Sequence, residues 1–440
     1  MHSRHALGLT ALLLTSCSLT LDPKLSDTGD GPFGAACVEN YECQSGLCSD
    51  GRCSAECAVD EPCPEGGVCE GSLCRSLSPA AKETLQVGLL YVGPVGDHGW
   101  TKAHDDGRMY FLGELEDTTA MFAPSVMTAD AEARIEEFIA RGDNVVIGTS
   151  FDFLVPMQEA AERHPDVNFL LCSGFVDGPN LGSYFGRMYQ AMFQAGQLAG
   201  LMTNEDRIGL VGPVVIPETV RHANAFTLGV RSVNPDARVV MRWVYAWFDP
   251  AEEEAAANEL LDAGVDIVFS HTDTTIAIET ANARNSADTP IYTIGYDNPD
   301  SCDFAPETCI GSAYWNWGPL VTRLLRDMQT GTWRPDEQVW EPMRADPSQS
   351  TVYLQMNEAN VPSSTRIEVE GLVADLSRNT PEGLYLPFRG PVMDNTGGVR
   401  IEDGALPTDE DLLSMCWFVD GIYDLDDTPA VVPTQCMGDR

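Results

Sequence analysis

The chain has 440 residues, 43% of them hydrophobic, enough for two or three domains with a sizeable core. Acidic residues outnumber basic ones 67 to 26, for a formal net charge of −41. A surface of that sign repels nucleic acid and anionic headgroups, so neither is expected as a partner.

The N-terminus carries Arg4, an apolar stretch from Ala6 to Leu14, and then the small residues Thr15 and Ser16 before Cys17. A stretch this short reads as a secretory signal rather than a mature spanning helix. Leu14-Thr15-Ser16-Cys17 resembles a bacterial lipoprotein box, which implies cleavage before Cys17 and a lipid on that residue. Residues 1–17 are therefore expected to be signal peptide and lipobox. No other apolar run reaches the roughly 18 residues a spanning helix needs. The body is expected to be anchored to the cell envelope, at the periplasmic face or outer membrane of a bacterium, and not embedded.

Residues 18–36, rich in Gly, Asp, Ser and Pro, read as a flexible tether. A Cys-rich module of two repeats follows over residues 37–74: Cys37, Cys43, Cys48 and Cys53, then Cys57, Cys63, Cys69 and Cys74. The intervening segments hold five, four and four residues in the first repeat and five, five and four in the second. With few apolar residues, disulfides must take the place of a core. Spacing leaves the connectivity open. Zinc is the weaker reading, because the module has no His and no tight Cys-x-x-Cys pair.

From Thr84 the pattern becomes strand–helix alternation. The runs TLQVGLLYVG, NVVIGTS, NFLLCS, RIGLVGPV, VDIVFSH and IYTIGYD read as buried parallel strands. DAEARIEEFIARG, QAMFQAGQLAGLM and PAEEEAAANELLDAG read as the helices between them. Residues 84–440 are thus expected to form an α/β body, too large for one ordinary sheet, dividing into two lobes with a ligand at the carboxyl ends of the strands.

Those strand ends hold the candidate binding residues. The first runs into Gly93-Pro94-Val95-Gly96-Asp97-His98-Gly99-Trp100-Thr101, which fits neither a dinucleotide fingerprint nor a phosphate loop, so no cofactor is expected. It exposes Asp97 and presents Trp100, either to stack on a flat ligand or to plug a lobe core. Other strands end in Phe151-Asp152, in His271 and Asp273, in Asp297, and in Trp315-Asn316-Trp317. Several polar and aromatic endings converging fit a polar-rimmed, aromatic-lined pocket, although Asp residues here also suit helix caps. His271 and Asp273 lack further His neighbours, which argues against a metal site. No nucleophile elbow or zincin motif is present, but with 67 acids carboxylate pairs could arise in space, so a nucleoside hydrolase stands as the enzymatic alternative to the expected non-enzymatic role. Cys302 and Cys309 are expected to form a local disulfide, and Cys416 and Cys436 a second one. Cys172, within an apolar strand, reads as a buried free thiol.

From about Thr84 to Leu425 the chain resembles the basic membrane protein family, which includes the purine nucleoside receptors of ABC importers. The resemblance is carried in order by YVGPVGDHGWTKAHDDGR, YFGRMYQAMFQAGQLAG, ANAFTLGVRSVNP, WFDPAEEEAA, SHTDTT, IGYDN, WNWGP and LLSMCWFVDG. It implies a type I periplasmic-binding fold: two Rossmann-like lobes, a hinge of crossing strands and a ligand held in the cleft. It further implies a purine-type ligand, an ABC permease as partner, Trp100 as the stacking aromatic with Thr101 beside it, Phe151 closing the opposite side of the ring, and Asp297 as the carboxylate taking ribose hydroxyls. A Lys that nucleoside-binding relatives tend to carry near Trp315-Asn316-Trp317 is missing, which favours a free base such as adenine. The competing expectation is a ligand-sensing or surface-interaction protein with the same fold and no transporter, a role that would explain the Cys-rich module.

Overall fold

The computed structural model describes residues 79–174, 176, 178–336, 338–433 and 436, and the backbone of four short strands before them. The chain divides into two compact units, Met1–Leu77 and Ser78–Arg440. In the first, β1 (Cys48–Ser49) pairs antiparallel with β2 (Arg52–Cys53), and β3 (Gly67–Glu70) with β4 (Leu73–Ser76). The registers set Cys48 opposite Cys53 and Cys69 opposite Cys74, so the third and fourth cysteines of each sequence repeat end up facing across a hairpin. The expected signal peptide, Cys17, the tether and the cysteines at 37, 43, 57 and 63 lie outside the described residues.

The large unit begins with a first lobe. Its strands are β5 (Leu85–Leu90), β6 (Thr118–Ala123), β7 (Val145–Gly148), β8 (Asn168–Cys172) and β9 (Leu181–Gly186), connected by α1 (Trp100–Glu114), α2 (Thr128–Arg141) and α3 (Leu154–Arg163). The chain then passes through α4 (Tyr189–Met202) into a second lobe. There β10 (Arg207–Gly212), β11 (Arg238–Trp243), β12 (Ile267–Ser270), β13 (Tyr292–Asp297) and β14 (Cys309–Trp315) alternate with α5 (Pro217–Val233), α6 (Pro250–Asp262) and α7 (Ile276–Arg284). It returns through α8 (Trp317–Thr330), which packs on α1, and β15 (Val339–Glu341), then crosses back at β16 (Val352–Met356). The remainder holds α9 (Ser363–Glu370), α10 (Val373–Leu376), α11 (Pro381–Leu384), the small ribbon β17 (Val392–Met393) and β18 (Val399–Ile401), α12 (Asp409–Leu413) and β19 (Ile422–Tyr423).

The first sheet has the order β15-β9-β8-β7-β5-β6 and is parallel throughout. The second runs β16-β14-β13-β12-β10-β11-β19, with β16 alone antiparallel. All six apolar runs read as parallel strands lie in these sheets, because strands covered on both faces are apolar throughout rather than alternating. The edge strand β6 is only half-buried, and its mixed sequence gave no comparable signal.

Helix α4 is buried nearly all round and crosses α5 at glycines. A Cβ at Gly196 would lie 2.0 Å from the Phe226 carbonyl oxygen, and one at Gly229 would lie 2.1 Å from that of Phe193. Only glycine permits so close an approach of two backbones. The three passages between lobes meet at Gly186, Trp315 and Thr351. The Asn316 amide donates to the Thr351 carbonyl (2.8 Å) and the Arg187 amide to the Glu341 carbonyl (2.8 Å). Three side-by-side connections tied this way form the hinge between the lobes. Two disulfides, Cys302–Cys309 and Cys416–Cys436, clip loops of the second lobe, and Cys172 is a buried free thiol.

Candidate functional site

A cavity of about 400 Å³ lies between the lobes at the carboxyl ends of the strands. The first lobe contributes Trp100 at the start of α1, Phe151 and Asp152 after β7, and Ser173 after β8. The second contributes Glu218 from α5, Trp247 from the β11–α6 loop, Asp273 after β12 and Tyr296 from β13. The lobes touch around it. Gly99 packs on the backbone of Asp273, where a Cβ would meet the carbonyl oxygen at 2.1 Å, and the His98 and Phe304 rings lie 4.6 Å apart. This is a closed arrangement.

Trp100 does both things its sequence position allowed. Its indole lines the cavity, its Nε1 donates to the Thr149 carbonyl (2.8 Å), and its other edge packs on Trp315 and Trp317 at 5.6 and 5.5 Å, nearly perpendicular. Those two indoles are stacked, 4.6 Å apart and 9° from parallel. Both are buried, so they set the pose of Trp100 from behind and are not cavity wall. Trp315 Nε1 donates to the Tyr296 hydroxyl (3.2 Å), tying the hinge to another wall residue.

Several residues expected at the pocket are placed elsewhere. Asp97 accepts the Gly99, Thr101 and Lys102 amides at 3.0, 2.9 and 3.0 Å; it caps α1, whose first amides need an acceptor. Thr101 turns its hydroxyl to the Gly93 amide (3.2 Å). Asn316 reaches the Pro347 carbonyl (3.3 Å) at the hinge. His271 lies beneath the cavity, edge-on to Tyr296 at 4.7 Å and with Nε2 3.2 Å from His222 Nδ1. Burial lowers the His271 pKa to about 3, so the ring is neutral. Asp297 is fully buried at the end of β13, and neither carboxylate oxygen has a hydrogen-bond partner. Burial, then Asp273 and Asp97, push its pKa well above the usual carboxylate range.

Phe151, Asp152 and Asp273 do line the cavity, Phe151 being about half exposed at its mouth. Burial, then Asp97, Glu253 and Glu218, raise the Asp273 pKa well above the carboxylate range. Its amide donates to the Trp247 carbonyl (2.9 Å), holding the two loops together. Glu253 sits below, receiving the Thr272 and Thr274 hydroxyls at 2.7 and 2.5 Å.

Four wall residues had no place in the sequence reading as binding residues: Ser173, Glu218, Trp247 and Tyr296. Glu218 follows the proline that opens α5, where the sequence reads as a helix start, and Trp247 lies in the loop three residues before the proline that opens α6. Tyr296 was one step away, next to Asp297. Together with Trp100 and Phe151, Trp247 and Tyr296 give the cavity four aromatic rings. Three carboxyl groups, Asp152, Glu218 and Asp273, share the wall with them, and no Lys, Arg or His does. Aromatic faces with acceptor carboxyls beside them have the chemistry to receive flat, hydrogen-donating groups.

Residues 84–343 match the family described as PnrA-like ABC transporter substrate-binding proteins, Bmp. The chain is 34% identical over 348 residues to a purine-binding protein of Brucella abortus, covering 78% of this chain and 94% of that one. It is also 34% identical over 289 residues to a putative ABC transporter glucose-binding protein of Haloferax volcanii, covering 66% and 70% respectively. A solute-binding protein of an ABC transporter system from Aeropyrum pernix shares the fold, with TM-score 0.55 at 19% identity over 74% of this chain and 95% of that one.

Proposed function

The chain belongs to the PnrA-like, or Bmp, family of ABC transporter substrate-binding proteins, and from that premise we propose that it captures a purine-type ligand in its inter-lobe cleft for ABC import. The ligand is a free base such as adenine, or a nucleoside. The observation that carries the reading is the cavity wall: aromatic rings for the faces of a heterocycle and carboxyl groups from both lobes for its N–H edge. A carboxylate accepts from ring N–H and amino groups, and a desolvated site of this kind rejects analogues that leave an acceptor unpaired. Binding is by hinge closure: the ligand stabilises the closed form by its greater affinity for that state. The ligand leaves unaltered, and the closed surface is what a permease reads.

The 34% identity to a putative glucose-binding protein makes glucose the informative competitor. A thermal-shift and calorimetric panel of adenine, adenosine, guanosine and glucose tests the reading. A ligand at about 100 times its dissociation constant stabilises the fold by about 2.7 kcal/mol. A shift with glucose and none with any purine refutes it.

The remaining assignments complete the proposal: residues 1–17 as signal peptide and lipobox, Cys17 as the lipidated residue, 18–36 as tether and 37–74 as a disulfide module. Among the described residues no helix is long and apolar enough to cross a membrane. Cys17→Ala is expected to release the protein from the membrane fraction of its own cells. The second reading, a sensor or surface-interaction protein without a transporter, is favoured by the module at 37–74, which lies outside the family match. Recovery of a permease in cross-linked complexes decides for import.

A further inference from the structure

Tyr296 is a wall residue whose hydroxyl has its polarity already chosen. Its ring is held at the end of β13, edge-on to Phe269 of β12 at 6.5 Å and to His271 just beyond that strand at 4.7 Å. Trp315 Nε1 lies 3.2 Å from the hydroxyl oxygen, and an indole N–H only donates. The phenol oxygen therefore accepts from Trp315 and cannot turn its own hydrogen that way. Trp315 is the hydroxyl's one hydrogen-bond partner among the described residues, so that hydrogen is left for whatever fills the cavity. Burial, then Asp297 and Glu218, hold the phenol well above its ordinary pKa, and the hydrogen is present at neutral pH. Trp315 is itself fixed by the hinge. It ends β14, the second passage between lobes, and pairs with Val352 of the third. On the first passage, a Cβ at Gly186 would meet the Trp315 ring at 2.9 Å and Val352 at 2.6 Å. The ring that orients Tyr296 is thus wedged among all three passages.

The rest of the wall is poor in donors. Asp152, Glu218 and Asp273 bring carboxyl oxygens. The Ser173 hydroxyl is spent on Glu218 (3.0 Å) and the Trp100 indole N–H on the Thr149 carbonyl (2.8 Å). A purine, however, carries ring nitrogens that accept. Resting on the purine reading above, we propose that Tyr296 gives its O–H to one ring nitrogen of the bound purine, and that Trp315 is the positioning residue that keeps this O–H turned to the ligand. The cleft then selects among flat heterocycles by that nitrogen. A ring with C–H in its place leaves a buried donor unpaired and sets a hydrogen against it, a mismatch that a closed site penalises strongly. Because the orienting bond comes from the hinge, the donor is aimed before the ligand arrives, and binding does not bear the cost of ordering it.

Isothermal titration of the full chain with adenine and adenosine, each beside its 1-deaza, 3-deaza and 7-deaza analogue, tests the proposal. One of the three replacements is expected to weaken binding by about tenfold or more. Tyr296→Phe keeps the ring and drops the hydroxyl, so the same analogue should then bind nearly as well as its parent compound. Trp315→Phe keeps an aromatic ring at the hinge but frees the hydroxyl to turn. It should also shrink the ratio between parent compound and analogue, whereas lost packing alone weakens both and leaves their ratio unchanged. Equal binding of parent compound and all three analogues by the wild-type chain overturns the proposal, as does a wild-type ratio in Tyr296→Phe; in both cases the purine reading survives. A wild-type ratio in Trp315→Phe overturns the positioning role. Where that variant does not fold, the wild-type chain and Tyr296→Phe decide. Failure of adenine and adenosine alike to bind removes the purine reading, and this inference with it.

Discussion

The Ser173 hydroxyl of the first lobe donates to Glu218 Oε2 of the second across 3.0 Å. Ser173 is held for this at φ 60°, in a region where residues other than glycine are uncommon. The bond joins the lobes at the cavity wall and exists only when they are closed. A hydrogen bond of this sort contributes about 1–2 kcal/mol. Ser173→Ala is therefore expected to shift the unliganded protein toward the open form by about tenfold. Small-angle scattering reads this as a larger radius of gyration, with the liganded form unchanged. Identical unliganded scattering from the variant and the parent would remove Ser173 from closure.

Trp100 stands between the cavity and the stacked pair Trp315 and Trp317. Trp100→Ala removes a wall of the site and opens a void against two buried indoles. Ligand affinity is expected to fall at least tenfold and stability by about 3–5 kcal/mol. Trp100→Phe keeps an aromatic wall but loses the bond to the Thr149 carbonyl, so it should cost about 1 kcal/mol of stability and less affinity. Calorimetry and urea unfolding on both variants separate the roles. Unchanged affinity in the alanine variant counts against the assigned site.

The contrast between Trp100 and Asp97 shows how far the sequence reaches. Both stand on one glycine-rich turn after a strand, and the apolar run before them marked the strand because parallel strands are buried on both faces. Whether a carboxylate there faces a ligand or its own helix depends on the path of the turn, which composition does not encode. Asp97 caps α1, while Asp273, equally suited to capping, reaches the cavity. Glu218 was hidden for the converse reason: it follows the proline that opens α5, so it reads as a helix start, while Trp247 sits in the loop before α6, where no periodicity marks it. The hinge was legible only through family resemblance, since strands as short as β15 carry too few residues for periodicity to register.

Arg187, at the first passage between lobes, forms a bidentate pair with Asp409 of α12, 2.7 Å for each bond, and Tyr385 also donates to Asp409 at 2.7 Å. Arg187 is almost fully buried and lies 4.2 Å over the Trp340 ring. The segment after β16 is thereby fastened to the hinge. Asp409→Asn leaves a buried guanidinium without its counter-charge. Because Asp409 itself is partly exposed, water offsets some of the loss, and a cost of about 2 kcal/mol is expected. Denaturant unfolding should show it, together with a changed dependence of ligand affinity on the hinge variant; a stability equal to the parent would make the pair dispensable.

His104 gives a pH test whose sign is fixed by its surroundings. Its ring is packed 4.8 Å from Trp100 and 4.7 Å from Trp317, and burial lowers its pKa to about 3. The unfolded chain takes up this proton near pH 6.5 and the folded one does not, so the contribution to stability is complete above that value and is lost as pH falls toward 3. The buried acids Glu218, Asp273 and Asp297 are shifted upward, so their contribution is complete below the ordinary carboxylate range and lost as pH rises. The two trends oppose each other across mildly acidic pH. His104→Phe removes the titrating imidazole and keeps an aromatic ring at that position. Relative to the parent, the variant should gain on the order of 2–3 kcal/mol on going from neutral pH to about pH 4. Urea unfolding at the two pH values measures the difference directly. Parallel pH profiles for parent and variant would mean that His104 takes up its proton in the folded protein, and that the indole pair behind Trp100 is open to water.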